Sequence, residues 1–239
     1  WGVGWRLSPK LKAEGVHTAL DLRQFPARRA GQLIGVHGRQ LVAELNSTSC
    51  HPLQRMHKLQ QSIMRGRQFG EDTSDFSVIE AAIASLTARA TARLRREGQL
   101  TRHAAAVIST NRHKPGYSRA TQSITFTTPT ADAGTICARL VGALADSFNA
   151  HAGYHRADVF LYDFVPGSSL QTDLFGIVDL PGAERSQAKL QALDAINARY
   201  GKGHLRYAAE GLSQSWRPRW RLGSPRYTSD WDELPAIAV

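Results

Sequence analysis

Cysteine is scarce in this sequence, which has only Cys50 and Cys137 among its 239 residues. Two cysteines so far apart provide neither a disulfide framework nor the paired thiolates of a zinc site, so we expect a reducing, cytoplasmic setting. Long apolar runs are missing too. Although 42% of the residues are hydrophobic, no stretch reaches the roughly 20 residues of a membrane-spanning helix. The sequence therefore predicts packed cores and no membrane partner.

Acidic residues are also few: 20 Asp and Glu face 30 Lys and Arg, giving a net charge of +10. The excess is concentrated at the start, where residues 1–70 hold eleven Lys or Arg and three Asp or Glu. Such a charge favours a polyanionic partner, and nucleic acid is the usual one. A ribosomal or membrane-surface protein would have the same composition, so charge alone does not decide.

The middle of the chain alternates strand and helix patterns in the order β-α-β-β-α-β. Apolar residues recur every three or four positions in 77–96 and 132–148, which predicts two helices, with Ser74 or Asp75 capping the first and Asp132 the second. Strand-like segments surround them at residues 59–69, 104–110, 117–126 and 159–165. This order predicts a ferredoxin-like sandwich, a four-stranded antiparallel sheet under two helices.

The sheet face that the helices leave uncovered is a candidate binding surface, because arginines and hydroxyl side chains fall where leucines would mark a core. Arg65 and Arg67 share a side of the first strand at period two. The candidate contacts to a nucleic-acid backbone are Arg65, Arg67, Arg112, Lys114 and Arg119. A solvated charged surface is the alternative, and we expect it for Arg89, Arg93 and Arg96, which follow one face of the first helix.

The N-terminal segment has the pattern of a helix-hairpin-helix. Gly2, Val3 and Gly4 precede a predicted helix at residues 6–14 that carries Lys10, and glycines there let the backbone approach a DNA phosphate closely. A looser copy has the same residue types, and its members are Gly35, Gly38 and Arg39. Ordinary helix-stop glycines are the alternative for either copy taken alone.

Beyond the last strand, residues 171–175 read Gln-Thr-Asp-Leu-Phe. Leu174 and Phe175 on the polar stem of Gln171 and Asp173 form an anchor for a partner's pocket, worth about 3–5 kcal/mol of burial before ordering costs. A staple folded back on this chain is the alternative. Further on, residues 186–200 predict an amphipathic helix. The alternating Trp and Arg at 216–221 fit either base stacking or anchoring of the tail on its own domain.

In this order the pieces resemble the C-terminal half of the UmuC-type Y-family translesion polymerases, the catalytic subunits of bacterial DNA polymerase V. Residues 1–22 look like the thumb, and residues 62–166 look like the little finger. Residues 224–228, Ser-Pro-Arg-Tyr-Thr, match the C-terminal motif of these proteins. The segment with Gln171, Asp173, Leu174 and Phe175 is similar to their peptide for the bacterial β sliding clamp.

The resemblance implies an error-prone polymerase of the SOS response and DNA repair, bound to template-primer DNA without sequence preference. It also implies a UmuD′ dimer and RecA as partners. The family's Mg²⁺ ions are held by carboxylates in a palm that would precede Trp1, so we expect no cofactor in this chain and no polymerisation by it alone. The chain starts without an initiator Met, which we interpret as the C-terminal portion of a longer protein.

The predicted organisation is an α+β chain in three parts. Residues 1–52 form the helix-hairpin-helix, residues 53–166 the DNA-binding sandwich, and residues 167–239 the clamp peptide with a short helical and irregular region. One alternative is a stand-alone, non-catalytic helix-hairpin-helix adaptor for DNA binding or repair. A nuclease or glycosylase is less favoured, because only His37 and Asp21 lie near the hairpins.

Overall fold

The computed structural model describes residues 1–53, 59–167, 180–214, 216–218 and 223–234. The chain forms two compact units, residues 1–58 and residues 59–239. None of the described helices has the length and hydrophobicity needed to cross a membrane.

The N-terminal unit is helical. Its helices are α1 (Ser8–Ala13), α2 (Ala19–Gln24), α3 (Ala27–Ile34) and α4 (Val36–Leu45). They enclose a small core of Leu11, Val16, Leu22, Ala30 and Val42. Helix α2 starts in a capping box, since the Asp21 amide donates to Thr18 Oγ1 and the Thr18 amide donates to Asp21 Oδ2. The amides of His17 and Thr18, which donate to the Asp21 carboxylate at 3.0 and 2.8 Å, lower the pKa of Asp21. The box is therefore intact at neutral pH.

The second glycine motif, predicted as a looser hairpin, lies largely within a helix. Helix α4 begins at Val36, and Gly38 is buried inside its first turn. A Cβ on Gly38 would collide with the Ala30 carbonyl and the Ile34 side chain. Gly38 therefore permits close packing of α3 on α4, whereas Gly35, with a φ of 74°, makes the turn between them.

The C-terminal unit has the predicted β-α-β-β-α-β order. Its elements are β1 (Ser62–Thr73), α5 (Phe76–Arg96), β2 (Gln99–Thr110), β3 (Arg119–Thr130), α6 (Ala133–Ala145) and β4 (Tyr154–Pro166). Two of the predicted caps are present. Asp75 accepts from the Ser77 amide at 2.8 Å, and Asp132 accepts from the Gly134 amide at 2.8 Å. The strands extend further than their apolar patterns indicated.

The sheet is antiparallel with the order β1-β4-β2-β3. This differs from a ferredoxin-like sheet, in which β1 and β3 are central. Here β4 and β2 are central and β1 and β3 form the edges, although each helix still connects two strands separated by a third. The pattern of elements was predictable from sequence, but the pairing that decides between these two topologies was not.

Strand alternation separates the two sides of this sheet. Ala104, Ala106 and Ile108 on β2 and Val159 and Leu161 on β4 are fully buried beneath α5 and α6. Cys137 of α6 lies in the same core, and burial raises the pKa of its thiol to about 11. Both Cys137 and Cys50 are free thiols.

The region after β4 packs on the outer surface of the helices. Helix α7 (Leu180–Tyr200) is followed by a 3-10 turn at Ala208–Glu210 that packs on α5. Arg95 of α5 pairs with Asp194 of α7 at 2.7 Å. The tail is anchored by Trp216, which is 5% exposed and meets Phe69 edge-on at 6.3 Å. Anchoring is thus the role of Trp216, while Trp220 lies outside the described residues.

Candidate nucleic-acid interface

The side of the sheet turned away from α5 and α6, here called the open face, carries the polar surface that the sequence predicted. Its residues pair across the strands in register. They comprise Ser62, Met64, Gly66, Gln68, His103, Ala105, Val107, Ser109, Arg119, Thr121, Ser123, Thr125, Arg156, Asp158, Phe160 and Tyr162. Hydroxyl groups, amides and guanidinium groups can all donate to phosphate oxygens, so the surface has the chemistry of a backbone contact.

One row of the open face crosses all four strands. Gln68 of β1 pairs with Arg156 of β4, Arg156 with Ser109 of β2, and Ser109 with Arg119 of β3. Neighbouring strands lie about 4.8 Å apart, so the two arginines stand roughly two strand spacings apart on the same side. In this row Ser109 lies between the two arginines and Gln68 lies beside Arg156. Two positive groups and two polar donors therefore share one line across the sheet.

The side chain of Arg156 is fixed in position by Asp158. Its Nη2 atom lies 2.7 Å and its Nε atom 2.8 Å from oxygens of Asp158, which is 6% exposed. The Asp158 carboxylate raises the pKa of Arg156. Gly66 leaves the space that this pair occupies, because a Cβ there would collide with Asp158 Oδ1. The guanidinium is therefore oriented before any ligand arrives.

An aromatic pair lies three rows away on the same face. The rings of His103 and Tyr162 stack with centroids 5.4 Å apart and planes 8° apart. Thr125 Oγ1 lies 3.0 Å from His103 Nδ1, and Asp163 Oδ2 lies 3.4 Å from His103 Nε2. The pair gives this end of the face a partly apolar and rigid surface.

Arg65 and Arg67 do not belong to the open face. They share their side of β1 with Ile63 and Phe69, whose side chains enter the core under the helices. The prediction that the two arginines share a side holds, but that side is the one covered by helices. Because β1 is an edge strand, Arg67 still reaches solvent there.

The link between β2 and β3 carries two further candidates. Arg112 is exposed, and its Nε atom donates to His113 Nε2 at 3.3 Å. Lys114 forms an ion pair, because its Nζ atom lies 2.7 Å from Asp72 Oδ2. Asp72 also accepts a hydrogen bond from His155 at 2.7 Å. The Lys114 ammonium, followed by His155, lowers the pKa of Asp72. The loop is thereby tied to the end of β1.

In the N-terminal unit, the first glycine motif precedes α1. The Gly4 carbonyl accepts from the amides of Leu7 and Ser8 at 3.0 and 2.9 Å. Gly2 has a φ of 76°, and Val3 and Lys10 are exposed. These residues lie on the surface at the start of one helix, as a phosphate-binding turn requires.

Arg39 lies elsewhere on this unit. Its side chain crosses Gly31 of α3, where an added Cβ would collide with it. Its guanidinium is exposed at the surface of the α3–α4 pair. It is therefore placed by helix packing rather than by a hairpin turn at its own position.

The anchor segment and any metal site remain to be described. The anchor residues Gln171, Asp173, Leu174 and Phe175 lie outside the described residues. Within the described ranges, no group of three or more His, Cys, Asp or Glu side chains is arranged to hold a metal ion.

Sequence reasoning missed Arg156 and Asp158, which lie on a central strand of the open face. The apolar run at 159–165 marked the strand, so the polar residues ahead of it were left out. Period two from Tyr162 back through Phe160 to Arg156 would have placed both on the open face. The contact of Asp158 with Gly66 depends on strand pairing and has no signal in the sequence.

Comparison with known proteins connects this geometry to a family. Residues 60–174 match the impB/mucB/samB family C-terminal domain, and residues 189–237 match a domain of unknown function, DUF4113. Protein UmuC of Salmonella typhimurium (strain LT2) is 34% identical over 238 residues, covering 98% of this chain and 56% of that protein. Protein SamB of Salmonella typhimurium is 34% identical over 243 residues, with 100% and 56% coverage.

The chain belongs to the impB/mucB/samB family of UmuC-like proteins. It spans about half the length of these relatives, 56% in both. A solved structure, a Y-family DNA polymerase chimera of Dbh and Dpo4, aligns with 69% of this chain and 46% of its own, at a TM-score of 0.46 and 15% identity. The two domain matches of this family member follow its fold, one on the sandwich and one on the region after it.

Proposed function

We propose that this chain is the DNA-binding and sliding-clamp-binding portion of an error-prone Y-family translesion DNA polymerase. In this proposal the open face grips the backbone of the template-primer duplex. The observation that carries it is the row from Gln68 through Arg156 and Ser109 to Arg119, with Arg156 held by Asp158. Membership of the UmuC-like family supports the polymerase assignment.

The chemistry of the face fits a contact without sequence preference. Arginine forks bind phosphate oxygens in a bidentate manner, and hydroxyl groups donate single hydrogen bonds to them. A sheet face offers no helix or two-stranded ribbon that could enter a groove and read base edges. A polymerase that copies damaged template needs such a grip, because the contact must not depend on the bases.

The N-terminal unit would supply a second grip on the duplex. Gly2, Val3 and Gly4 at the start of α1, with Lys10 on that helix, fit a backbone amide contact to phosphate. Gly35 would make the corresponding turn before α4, with Arg39 nearby. Arg112 and Lys114 remain proposed contacts to that duplex from the C-terminal unit. Arg65 and Arg67, on the helix side of β1, remain proposed contacts to DNA backbone outside the duplex.

The remaining parts of the proposal come from the family. Residues 171–175 would bind the bacterial β sliding clamp and so keep the polymerase on DNA through a high local concentration. Nucleotidyl transfer with Mg²⁺ would be carried by carboxylates in the part of the relatives that this chain does not span. A UmuD′ dimer and RecA would regulate the whole polymerase in the bacterial cytoplasm.

Duplex binding is tested by fluorescence anisotropy with a short blunt duplex. We expect Arg119→Ala combined with Arg156→Gln and Asp158→Asn to lower affinity about tenfold. It should also reduce the slope of log K against log salt by about 1.8, the value for two lost phosphate contacts. The Gln–Asn replacement keeps a hydrogen bond and leaves the net charge of that pair unchanged.

The control variant is Arg96→Ala with Arg185→Ala, which removes two exposed arginines on α5 and α7. It should change affinity by less than about twofold. Strong preference for one duplex sequence, or an equal loss in both variants, would contradict a specific backbone contact by the open face.

Clamp binding is tested by capture on immobilised bacterial β clamp. Leu174→Ala with Phe175→Ala should abolish capture and leave duplex affinity unchanged, because the anchor and the open face are separate sites. The control is Leu53→Ala with Leu212→Ala, which removes two exposed leucines at 90% and 97% exposure. Capture that survives the first variant would mean that the segment is a local staple.

A further inference from the structure

The side of the sheet under the helices also carries positive charge at its β1 edge. Arg67 pairs with Ala157 of β4, a fully buried residue of the helix-side core, so Arg67 emerges on that side. The open face is on the opposite side of the same sheet. Arg67 is therefore separated from Arg119 and Arg156 by the thickness of the sheet.

The C-terminal tail brings a second arginine to this edge. The Gly70 amide donates to the Trp216 carbonyl at 2.9 Å, which adds a backbone link beside β1. A Cβ on Gly70 would lie 3.1 Å from the Arg217 carbonyl oxygen. Arg217 is thus fixed next to the edge strand, with its guanidinium 5.4 Å from the centre of the Trp216 ring.

Two more arginines approach from the helix layer. Gln214 Nε2 donates to Ser85 Oγ at 3.2 Å, which docks the tail on the face of α5 that carries Arg89 one turn later. Arg206 directly precedes Tyr207, the N-cap of the 3-10 turn packed on α5. Arg67, Arg89 and Arg206 are all exposed.

These charges act on one another. Burial, followed by repulsion from Arg89, Arg67 and Arg206, lowers the pKa of Arg217, and Glu210 opposes that change. Glu210 is itself buried, and its carboxylate accepts from the Tyr207 amide at 3.2 Å. Glu210 therefore offsets only part of the repulsion that the other three arginines exert on Arg217.

The four arginines also differ from others in this unit. Arg93 pairs with Glu97, Arg95 with Asp194 and Arg156 with Asp158. Across the described part of the chain, no ion pair or hydrogen bond engages the side chains of Arg67, Arg89, Arg206 or Arg217. Converging guanidinium groups that make no ion pair form a site for an external anion.

We propose that this group, the edge cluster (Arg67, Arg89, Arg206 and Arg217), binds the phosphodiester backbone of a single-stranded segment of DNA. The inference rests on the proposed duplex contact by the open face. Duplex DNA is stiff over about 150 base pairs, so a duplex seated on the open face cannot bend around the β1 edge. A single strand leaving that duplex is flexible enough to reach the opposite side.

The test compares three labelled probes on the whole chain: a blunt duplex, the same duplex with a long single-stranded overhang, and an oligo(dT) strand. Arg89→Ala with Arg206→Ala should lower affinity for oligo(dT) and for the overhang probe about tenfold. It should also reduce the salt slope for oligo(dT) by about 1.4, the value for two contacts on a single strand. Affinity for the blunt duplex should stay within about twofold.

Arg96→Ala with Arg185→Ala is the matched control, since it removes the same charge from exposed helix positions outside the cluster. An equal loss in both variants, or an unchanged affinity for oligo(dT), would overturn the inference. Free dTTP is added at a concentration that would saturate a mononucleotide site. If it displaces oligo(dT), the inference is also overturned, because the ligand would then be a nucleotide rather than a strand.

The same probes distinguish failure of the proposed function from failure of the edge-cluster inference. If the unaltered chain fails to bind the blunt duplex, the duplex proposal fails. Oligo(dT) binding that depends on Arg89 and Arg206 would still establish the edge cluster as a strand-binding site. Both variants replace exposed side chains, and equal thermal unfolding midpoints would show that each is folded.

Discussion

The two sides of the β-sheet in the C-terminal unit use arginine in opposite ways. On the open face, Arg156 is bound to Asp158 and oriented, with Gly66 leaving the room for that pair. At the helix-side edge, Arg67 and Arg217 lie close together, and neither makes an ion pair with a described residue. A paired arginine gives a defined geometry at little cost in repulsion, whereas an unpaired cluster stores repulsion that a bound anion relieves.

The two sides of the sheet also differ in what covers them. The helix side is completed by the region after β4, which docks through Trp216, Gln214 and the Arg95–Asp194 pair. The described residues that match DUF4113 therefore belong to the same compact unit as the sandwich. The difference between the two sides depends on this docking, since it also delivers Arg206 and Arg217.

The largest expected effect comes from Trp216→Ala, which would remove the anchor on the helix side. We expect a loss of about 3–5 kcal/mol in the free energy of unfolding, because a large buried aromatic leaves a cavity against Phe69. Urea denaturation measures it. Trp231→Ala is the control, at 88% exposure, and should change stability by less than about 0.5 kcal/mol. Equal effects would mean that the tail does not complete the core.

Gly66→Ala would disturb the open face. The new Cβ collides with Asp158 Oδ1, so the pair that orients Arg156 must move, and we expect a loss of about 1–3 kcal/mol in stability. Gly142→Ala, with nothing within 4 Å of its Cβ, should instead stabilise α6 by about 0.5–1 kcal/mol. Thermal unfolding of both variants distinguishes a close approach from an ordinary helical glycine.

Asp132→Ala tests how much the contacts between Asp132 and α7 contribute to stability. Burial opposes the charge of Asp132, but donation from Ser186, the Gly134 amide and Lys189 leaves its pKa lowered. The variant loses both the α6 cap and these links, so we expect it to cost about 1–2 kcal/mol, more than Asp75→Ala, which removes a cap alone. Equal costs would show that the links to α7 add nothing.

The same carboxyl group predicts a pH dependence. Because the folded pKa of Asp132 is depressed, its contribution is complete above the unfolded value of about 3.9 and is lost as pH falls through the folded pKa. The stability difference between the parent chain and Asp132→Ala should therefore shrink in acid. A difference that grows as pH falls would contradict the lowered pKa.

The sequence predicted what depends on local patterns. Apolar spacing located α5 almost to the residue, and the capping roles of Asp75 and Asp132 followed from short-range hydrogen bonding. What depends on strand pairing was not predictable: the β1-β4-β2-β3 order, the side on which Arg67 emerges, and the burial of Gly38 against Ala30. The outer face of α5 was expected to be solvated, because nothing in the pattern of Arg89 and Ser85 indicates that a tail more than a hundred residues later covers part of it.

The central claim is that duplex DNA contacts the open face and not the side under the helices. Amide NMR shifts on titration with a blunt duplex test it most directly. The account predicts shifts at Ser109, Thr121 and Ser123 on the open face, with Ala88 and Ala92 of α5 unaffected. Shifts concentrated on α5, with the three open-face amides unchanged, would contradict it.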